Sequence, residues 1–356
     1  MDDVNIEKVS EQILHTAFRL EATDIHFQPK KKTALVYLRI LQQLVPMYEF
    51  PKEIALKIIS HFKFKACMDI GEHRRPQSGA MKLTFLGKEY HLRLSVLPSP
   101  FAESLAIRIL PQSETISLAK LSLFPAVTRK LQALCQRKNG LVIVSGPTGA
   151  GKTTTMYAML YIIQKEHMKN IVTLEDPVEK KTDVFTQVEV NEKAGITYAE
   201  GLKAILRHDP DVITIGEIRD EETAKMAIRA ALTGHLVITT LHTKDCIGAI
   251  VRLIELGISK HDIEQTLIGV LNQRLVQTIC PYCSKNCHPY CTREKLQKLK
   301  AIFEIVTGNE LEKILNDLQQ LSSVQLQHSL KKQFQKAYAL GYISQDTYGE
   351  WLGEYE

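Results

Sequence analysis

The sequence predicts an α/β protein of two domains, the second containing a parallel sheet with crossover helices. Its 356 residues exceed what one ordinary domain requires. From residue 130 onward, short apolar segments alternate with helix-like stretches, which is typical of a parallel sheet. A glycine-rich loop follows the first of these segments. The four apolar segments are LVIVS, IVTLE, VITIG and LVITTLH.

The first third of the chain has a different pattern. Apolar residues recur at near-helical spacing over residues 5–20 and in KEIALKIISHFKF, which predicts two helices. Polar and apolar residues alternate in ALVYLRILQQLV, MKLTFLG, EYHLRLSVLP and SLAIRIL, which predicts strands. We interpret residues 1–111 as a small α/β domain and residues 112–124 as a linker.

The remainder divides at a cysteine cluster near residue 285. We interpret residues 125–279 as the domain with the parallel sheet, and residues 280–356 as the cysteine cluster and a small helical C-terminal region. Two segments there, REKLQKLKAIFEIV and QHSLKKQFQKAYALGY, look helical, and their charges are most simply explained as solvated helix faces.

Composition narrows the class of protein. With 44% hydrophobic and 24% charged residues and no low-complexity tract, the chain is expected to fold throughout. A net charge of +5 is too small to require a polyanionic partner, although it permits one. The N-terminus begins acidic without an apolar signal region, and no run of about 18 uncharged apolar residues occurs. We therefore expect a soluble cytoplasmic protein.

The glycine-rich loop has the GxxxxGK[ST] spacing of a phosphate cradle. Glycines let backbone N–H groups converge on phosphates, Lys152 supplies positive charge, and the Thr153 hydroxyl is a ligand for Mg²⁺. An ordinary glycine-rich turn would need neither side chain. The residues expected to bind nucleotide are Gly146, Pro147, Thr148, Gly149, Ala150, Gly151, Lys152, Thr153 and Thr154.

Two glutamates and a histidine lie at the ends of the other three apolar segments or directly after them. Because ligands bind beyond the carboxyl ends of parallel strands, Glu175, Glu217 and His242 are expected at one edge of the sheet. Glu217 would hold Mg²⁺ or bond the Thr153 ligand, and Glu175 would orient or deprotonate the attacking water. The alternatives are a helix-capping loop for Glu217 and a plain turn for Glu175. His235 precedes the last strand, and either histidine alone is more often structural than catalytic.

Taken together, these motifs resemble a known family. GPTGAGKTT, VTLEDPVE, LRHDPDVITIGEIRD and TGHLVITTLHT are similar to the Walker A, Asp box, Walker B and His box of type II secretion and type IV pilus ATPases. Upstream ATDIHFQP and MDIGEHRRPQSG, and downstream RLIELGI and NQRLV, extend the resemblance over roughly residues 8–285. The sequence SHFKFKACMDIGEHRRPQ resembles the members that assemble the competence pseudopilus of Gram-positive bacteria for DNA uptake.

The resemblance implies a hexameric ATPase with a PAS-like N-terminal domain and a RecA-like motor domain. It implies ATP and Mg²⁺ at Lys152 and Thr153, Glu175 as the catalytic carboxylate and Glu217 as the Walker B acid. It further implies that His235 and His242 sense phosphate and that Arg93 and Arg108 of the N-terminal domain close onto the nucleotide. A surface salt bridge is the alternative for each arginine, and action within or between subunits stays open.

The resemblance also implies partners. A polytopic inner-membrane platform protein would receive the motion and pass it to pseudopilins, with the ATPase held peripherally at the cytoplasmic face of the membrane. Direct nucleic-acid binding is not expected. The rivals are a retraction motor, a RecA-like nucleic-acid translocase, and a nucleotide-gated scaffold that hydrolyses little.

Two features depart from the family or extend beyond it. Leu41 and Gln42 replace the Asp-Gly of a family turn, so the first hairpin is open to a different shape. Four cysteines with the spacing CxxCxxxCxxxC suit tetrahedral Zn²⁺, although structural sites usually pair two CxxC knuckles across a longer loop. Unliganded cytosolic thiols are the alternative. The possible zinc ligands are Cys280, Cys283, Cys287 and Cys291.

Overall fold

The computed structural model describes residues 5–112, 117–280, 283, 299–316 and 326–353. Contacts divide these residues into two compact units: residues 5–112 together with residue 283 belong to the first, and the other described residues from 117 onward belong to the second. The predicted boundaries at residues 111, 124 and 279 stay predictions. No helix in the described ranges is long and apolar enough to cross a membrane.

The first unit is a six-stranded antiparallel sheet with two helices. The strand order is β3-β2-β1-β6-β5-β4. The helices bury Ile13, Phe18 and Phe62 against one face of the sheet, where Phe27 and Phe62 meet edge to face at 6.0 Å between ring centroids. The helices are α1 (Ile6–Arg19) and α2 (Lys52–Lys65). The strands are β1 (Asp24–Pro29), β2 (Thr33–Ile40), β3 (Gln43–Pro51), β4 (Gln77–Phe85), β5 (Lys88–Pro98) and β6 (Glu103–Pro111).

Two hairpins of this sheet have two-residue turns. Leu41 and Gln42 connect β2 to β3 with φ values of 49° and 70°, and Leu86 and Gly87 connect β4 to β5 with φ values of 50° and 75°. Positive φ at both central residues is the geometry that matches strand twist, and it favours glycine or asparagine. The first hairpin therefore keeps the tight turn although it lacks a residue suited to it.

The second unit is built on a seven-stranded sheet with the order β13-β12-β7-β11-β10-β8-β9. All neighbours are parallel except β12 and β13. The strands are β7 (Gly140–Ser145), β8 (Ile171–Glu175), β9 (Thr186–Glu189), β10 (Val212–Ile215), β11 (Leu236–Leu241), β12 (Leu267–Gln277) and β13 (Leu299–Thr307). The four predicted apolar strands are confirmed as β7, β8, β10 and β11.

Helices cover both faces of this sheet. Val142 and Val144 of β7 belong to one apolar cluster, and Leu141 and Ile143 belong to another, so both faces are buried. The helices are α3 (Leu118–Leu121), α4 (Pro125–Cys135), α5 (Lys152–His167), α6 (Tyr198–Ile205), α7 (Glu221–Leu232), α8 (Cys246–Glu255), α9 (Lys260–Thr266), α10 (Asn309–Asn316), α11 (Leu330–Ala339) and α12 (Gln345–Gly353).

One predicted helix is wrong. Residues 299–307, which include AIFEIV, form β13 and pair antiparallel with β12 instead of forming a helix. The reason is burial on both faces: Ile302, Phe303 and Ile305 are at most 1% exposed, and a surface helix would have buried only one side. Helix α11 confirms the second helical segment, and residues 291–298 lie outside the described ranges.

Candidate site for nucleotide binding and hydrolysis

The phosphate loop connects β7 to α5 in a conformation that depends on glycine. Gly146, Gly149 and Gly151 have φ values of 141°, 79° and 83°, where L-residues with side chains are strained. A Cβ added to Gly146 would lie 2.6 Å from the carbonyl oxygen of Gln273. The loop therefore brings its backbone close to β12 and leads into the N-terminus of α5, the geometry expected of an anion cradle.

Lys152 lies folded over this loop. Its Nζ donates hydrogen bonds to the carbonyl oxygens of Gly146 at 2.8 Å and Pro147 at 3.1 Å. Its pKa is lowered to about 8, mainly by burial; Glu217 opposes this shift, and the nearby Arg274 adds to it. The ammonium is thus held in a buried place where an anion would stabilise its charge.

Glu217 and His242 come together just beyond β10 and β11. Oε2 of Glu217 lies 3.5 Å from Nε2 of His242, and Oε1 of Glu217 forms an ion pair with Arg219. Burial lowers the pKa of His242, and the charge of Lys152 lowers it further, while Glu217 opposes the shift. The imidazole is therefore neutral near pH 7, able to accept or donate a hydrogen bond without adding charge.

Glu175 ends β8 and is buried at 4% exposure. Its Oε1 accepts hydrogen bonds from Tyr157, Thr173 and Gln187, and its Oε2 accepts one from Tyr157 at 2.9 Å. Burial raises the pKa of Glu175, although these donors oppose the rise. A carboxylate with a raised pKa is a stronger base than an exposed one, which suits the predicted role in deprotonating water.

His235 lies at the opposite end of β11 from His242. Its Nδ1 faces the carbonyl oxygen of Ala230 at 2.9 Å and the hydroxyl of Thr233 at 3.1 Å. At about 3.3 Å per strand residue, His235 and His242 are roughly 20 Å apart, so this chain does not bring His235 to its own phosphate loop. The predicted sensing role of His235 stays a prediction.

Arg93 and Arg108 lie in the first unit. They are directly opposite each other on β5 and β6, and Arg108 is opposite Asp24 of β1. Nε of Arg108 lies 3.1 Å from Asp24 Oδ1, and Nε of Arg39 lies 3.6 Å from Asp24 Oδ2. Arg108 therefore forms the salt bridge named above as its alternative, and nucleotide contact by either arginine stays a prediction.

Comparison with known proteins identifies the family. The family model for type II/IV secretion system proteins matches residues 1–344. The chain belongs to the type II/IV secretion system protein family. It is 44% identical over 349 residues to competence protein ComGA of Bacillus subtilis, covering 98% of both chains. It is 41% identical over 285 residues to type II secretion system protein E of Pseudomonas aeruginosa, covering 80% of this chain and 57% of that one.

Solved structures of a pilus motor and of a further ATPase share the fold. The pilus retraction motor PilT with bound ADP superposes with a TM-score of 0.70 at 28% identity, over 95% of both chains. The ATPase DotB of Legionella pneumophila has a TM-score of 0.77 at 19% identity, covering 97% of this chain and 95% of that one. The predicted mixed α/β fold, with an N-terminal domain and an ATPase domain, is confirmed. This member of the secretion system family is an ATPase.

Residues that the motifs did not single out also lie at the candidate site. Tyr157 and Gln187 surround Glu175, and Gln273 donates from Nε2 to the carbonyl oxygen of Ala150 in the phosphate loop. Arg274 is close enough to Lys152 to shift its pKa. Of these residues, only Gln273 and Arg274 had a sequence signal, because the NQRLV segment is part of the family resemblance. The positions of Tyr157 and Gln187 depend on which elements pack beside the loop.

The described residues fit ATP and Mg²⁺. The loop has the positive-φ glycine backbone of a phosphate cradle, with Lys152 folded over it, and Thr153 is half-buried at the first turn of α5. The side chain of Glu217 is 19% exposed. Hydroxyl and carboxylate oxygens are the ligands that Mg²⁺ prefers. Nucleotide use follows from the family, and the assignment of these ligands stays a proposal.

The zinc prediction has no support in the described residues of this family member. Cys280 is buried and Cys283 is exposed, while Cys287 and Cys291 lie outside the described ranges. Within the described ranges, no group of three or more His, Cys, Asp or Glu residues is arranged to hold a metal ion. Zinc at the four cysteines therefore stays a prediction.

Proposed function

We propose that this ATPase is a hexameric motor that drives assembly of a pseudopilus for DNA uptake in competence. The observation that carries the proposal is the 44% identity to competence protein ComGA over 98% of both chains. A second competence protein ComGA, from Halalkalibacterium halodurans, is 45% identical over 96% of this chain. Similarity that extends over the full length supports the same task, and not only the same ATPase domain.

The site supports hydrolysis by a division of roles. Bound Mg²⁺ would neutralise charge on the phosphates, held by Thr153 and Glu217. Lys152 binds the phosphates from the loop, and the buried Glu175 takes a proton from the attacking water. His242, which is neutral and lies beside Glu217, senses the phosphates. Arg93 and Arg108 supply positive charge from the N-terminal domain, which couples domain movement to hydrolysis.

The proposed partners follow the proposed task. The motor acts at the cytoplasmic face of the membrane on a polytopic platform protein, which transmits motion to pseudopilins without direct contact between the ATPase and DNA. A hexamer is expected, with a mass near six times 40.3 kDa by light scattering in the presence of nucleotide. Zinc at the cysteine cluster is a separate proposal that metal analysis of the purified protein tests.

The experiment that tests the function combines a cell assay with an enzyme assay. In a naturally competent Gram-positive strain lacking its own assembly ATPase, the wild-type chain should restore pseudopili and transformation, and the Glu217→Gln variant should not. ATPase activity is measured with and without DNA. Strong stimulation by DNA would favour a nucleic-acid translocase, and undetectable turnover of purified hexamers would favour a scaffold.

A retraction motor is the second candidate, because the chain resembles the retraction motor PilT along its length, with a TM-score of 0.70. The two functions differ in what happens when the chain is removed. Loss of an assembly motor abolishes pseudopili, whereas loss of a retraction motor leaves them assembled. Counting pseudopili on cells that lack the chain therefore separates the two.

A further inference from the structure

The NQRLV segment of β12 begins with three polar residues beside the phosphate loop. Strand β12 runs parallel to β7 with Asn272 opposite Ser145, the last residue before the loop. Gln273 and Arg274 therefore continue past the end of β7, alongside the loop itself. The proposed roles of Lys152, Glu217 and His242 do not use these three residues.

Asn272 joins β7, β12 and the segment that follows His242. The residue is fully buried. Its Nδ2 donates to Ser145 Oγ at 2.8 Å and to the carbonyl oxygen of Thr243 at 3.0 Å, and its Oδ1 accepts from Nη1 of Arg274 at 2.8 Å. Both donors and the acceptor of one buried amide are therefore engaged, which fixes its orientation.

Arg274 contacts the next residue of the same segment. Its Nη2 donates to the carbonyl oxygen of Lys244 at 3.2 Å, and its Nη1 also donates to the carbonyl oxygen of Gln273 at 3.0 Å. A Cβ on Gly146 would lie 3.6 Å from Nη1, so the guanidinium is close to the phosphate loop. The planar fork thus spans the space between the loop and Lys244.

Gln273 completes the connection from the other side of the strand. Its Nε2 donates to the carbonyl oxygen of Ala150, within the phosphate loop. Gln273 therefore contacts the loop at Ala150, while Asn272 and Arg274 on either side of it donate to the two carbonyl groups that directly follow His242. Movement of the phosphate loop would be transmitted to this histidine through a short set of hydrogen bonds.

We propose that Asn272 and Arg274 are positioning residues that hold Thr243 and Lys244 and thereby fix His242 relative to the phosphate loop. The inference rests on the proposed role of His242 in hydrolysis. Both residues belong to the NQRLV segment, which thereby gains a role. We expect them to affect the hydrolytic step and not the affinity for ATP.

The test is a double-mutant cycle on the full-length protein, with kcat and KM for ATP measured separately. Asn272→Ala and Arg274→Ala are each expected to lower kcat about tenfold while changing KM less than about threefold. Arg274→Lys keeps the charge and one flexible donor and should recover part of the loss. In a His242→Ala background, which itself lowers kcat, Asn272→Ala should cause no further decrease.

A matched control lies at the other end of the sheet. Nδ2 of Asn170 also donates to two carbonyl oxygens, those of His208 and Asp209, but far from the phosphate loop, so Asn170→Ala should keep kcat. If Asn272→Ala fails to fold, the same double-mutant cycle is measured with Arg274→Ala, because Arg274 is only half-buried.

Equal losses from Asn272→Ala with and without His242 would overturn the positioning role while leaving the proposed function intact. So would a kcat within about twofold of wild type. An unchanged kcat in His242→Ala would contradict both the role of His242 and the positioning proposal. The competence assay would still test the motor function independently.

Discussion

Nε2 of His242 lies 3.5 Å from Oε2 of Glu217, at the ends of two adjacent parallel strands. The pair brings a neutral imidazole to the carboxylate that is proposed to hold Mg²⁺. Its charge environment includes Lys152, which lowers the pKa of the histidine and is itself stabilised by Glu217. The three side chains therefore form one electrostatic unit, from which the first two predictions follow.

Glu217→Gln should leave ATP bound and lower turnover roughly 100-fold, because a neutral amide is a poor ligand for Mg²⁺. Lys152→Ala should weaken ATP binding as well. Turnover and the affinity for a fluorescent ATP analogue are measured on each variant. Glu222→Gln is the control, since Glu222 is 66% exposed and pairs with Lys203 at the surface. Unchanged turnover in Glu217→Gln would remove that carboxylate from the site.

ATP affinity should fall as the pH rises above 8. The pKa of Lys152 is about 8 in the free protein, and bound phosphates would raise it, so binding above pH 8 must take up a proton. The dissociation constant should then rise by up to about tenfold per pH unit. Titrations between pH 7 and 9.5 measure it, with Arg219→Gln as a comparison that leaves the lysine in place. A flat profile would contradict the buried lysine.

A buried carboxylate in β13 should make stability depend on pH. Glu304 accepts the N–H groups of Cys246 at 2.7 Å and Leu330 at 3.0 Å, the first residues of α8 and α11. Burial raises its pKa above the unfolded value, although the two N–H groups oppose the rise. As the pH rises through the unfolded pKa toward the folded one, the unfolded state loses its proton first, so this group lowers the free energy of unfolding.

The measurement compares Glu304→Gln with wild type by chemical denaturation from pH 4 to 8. At low pH the variant should be less stable by about 1–3 kcal/mol, because an amide replaces one acceptor of a buried N–H group. The stability advantage of the wild type should shrink as the pH rises. Glu312→Gln, on the exposed side of α10, should show no such trend. A constant difference across the range would exclude a raised pKa for Glu304.

The two hairpins of the first sheet allow a reciprocal test of turn strain. Gln42 and Gly87 occupy the same position of equivalent turns, each after a leucine, with φ values of 70° and 75°. Gln42→Gly should raise the free energy of unfolding by about 1 kcal/mol, and Gly87→Gln should lower it by a similar amount, because only glycine adopts this region without strain. A Cβ at Gly87 meets no atom within 4 Å, so no steric clash adds to the effect of backbone strain on the free energy of unfolding.

The denaturant midpoint of unfolding is measured for both hairpin variants. The slope of the unfolding free energy against denaturant concentration should stay unchanged, and ATPase activity should be unaffected. Changes of the same sign in the two variants would show that neighbouring contacts, and not the backbone conformation, set the cost.

Patterns over a few residues predicted the phosphate loop and the four central strands. Glycines at Gly146, Gly149 and Gly151 have positive φ because the loop itself needs it, and apolar runs of five or six residues make buried parallel strands wherever they lie. Because the carboxyl ends of parallel strands lie at one edge of a sheet, the sequence also predicted that Glu217 and His242 lie at the same edge. The roles of these residues followed from the motifs and are still to be tested.

Other features could not be predicted because they depend on residues distant in the sequence. The sequence predicted a helix at AIFEIV, because the charged residues before it suggested an amphipathic face. The segment is a strand because it pairs with β12. Glu175 was recognisable as a strand-end carboxylate, but its burial depends on Tyr157 and Gln187, which come from two other elements.

The sequence by itself determined that this protein binds and hydrolyses a nucleotide, because the loop, its lysine and its flanking strand are contiguous and their chemistry is local. Only the tertiary structure decided that Asn272 and Arg274 of β12 contact the segment after His242, about 30 residues earlier in the chain. Hydrogen bonds across strands depend on sheet order, and the position of β12 beside β7 is set by how the whole domain buries its apolar residues.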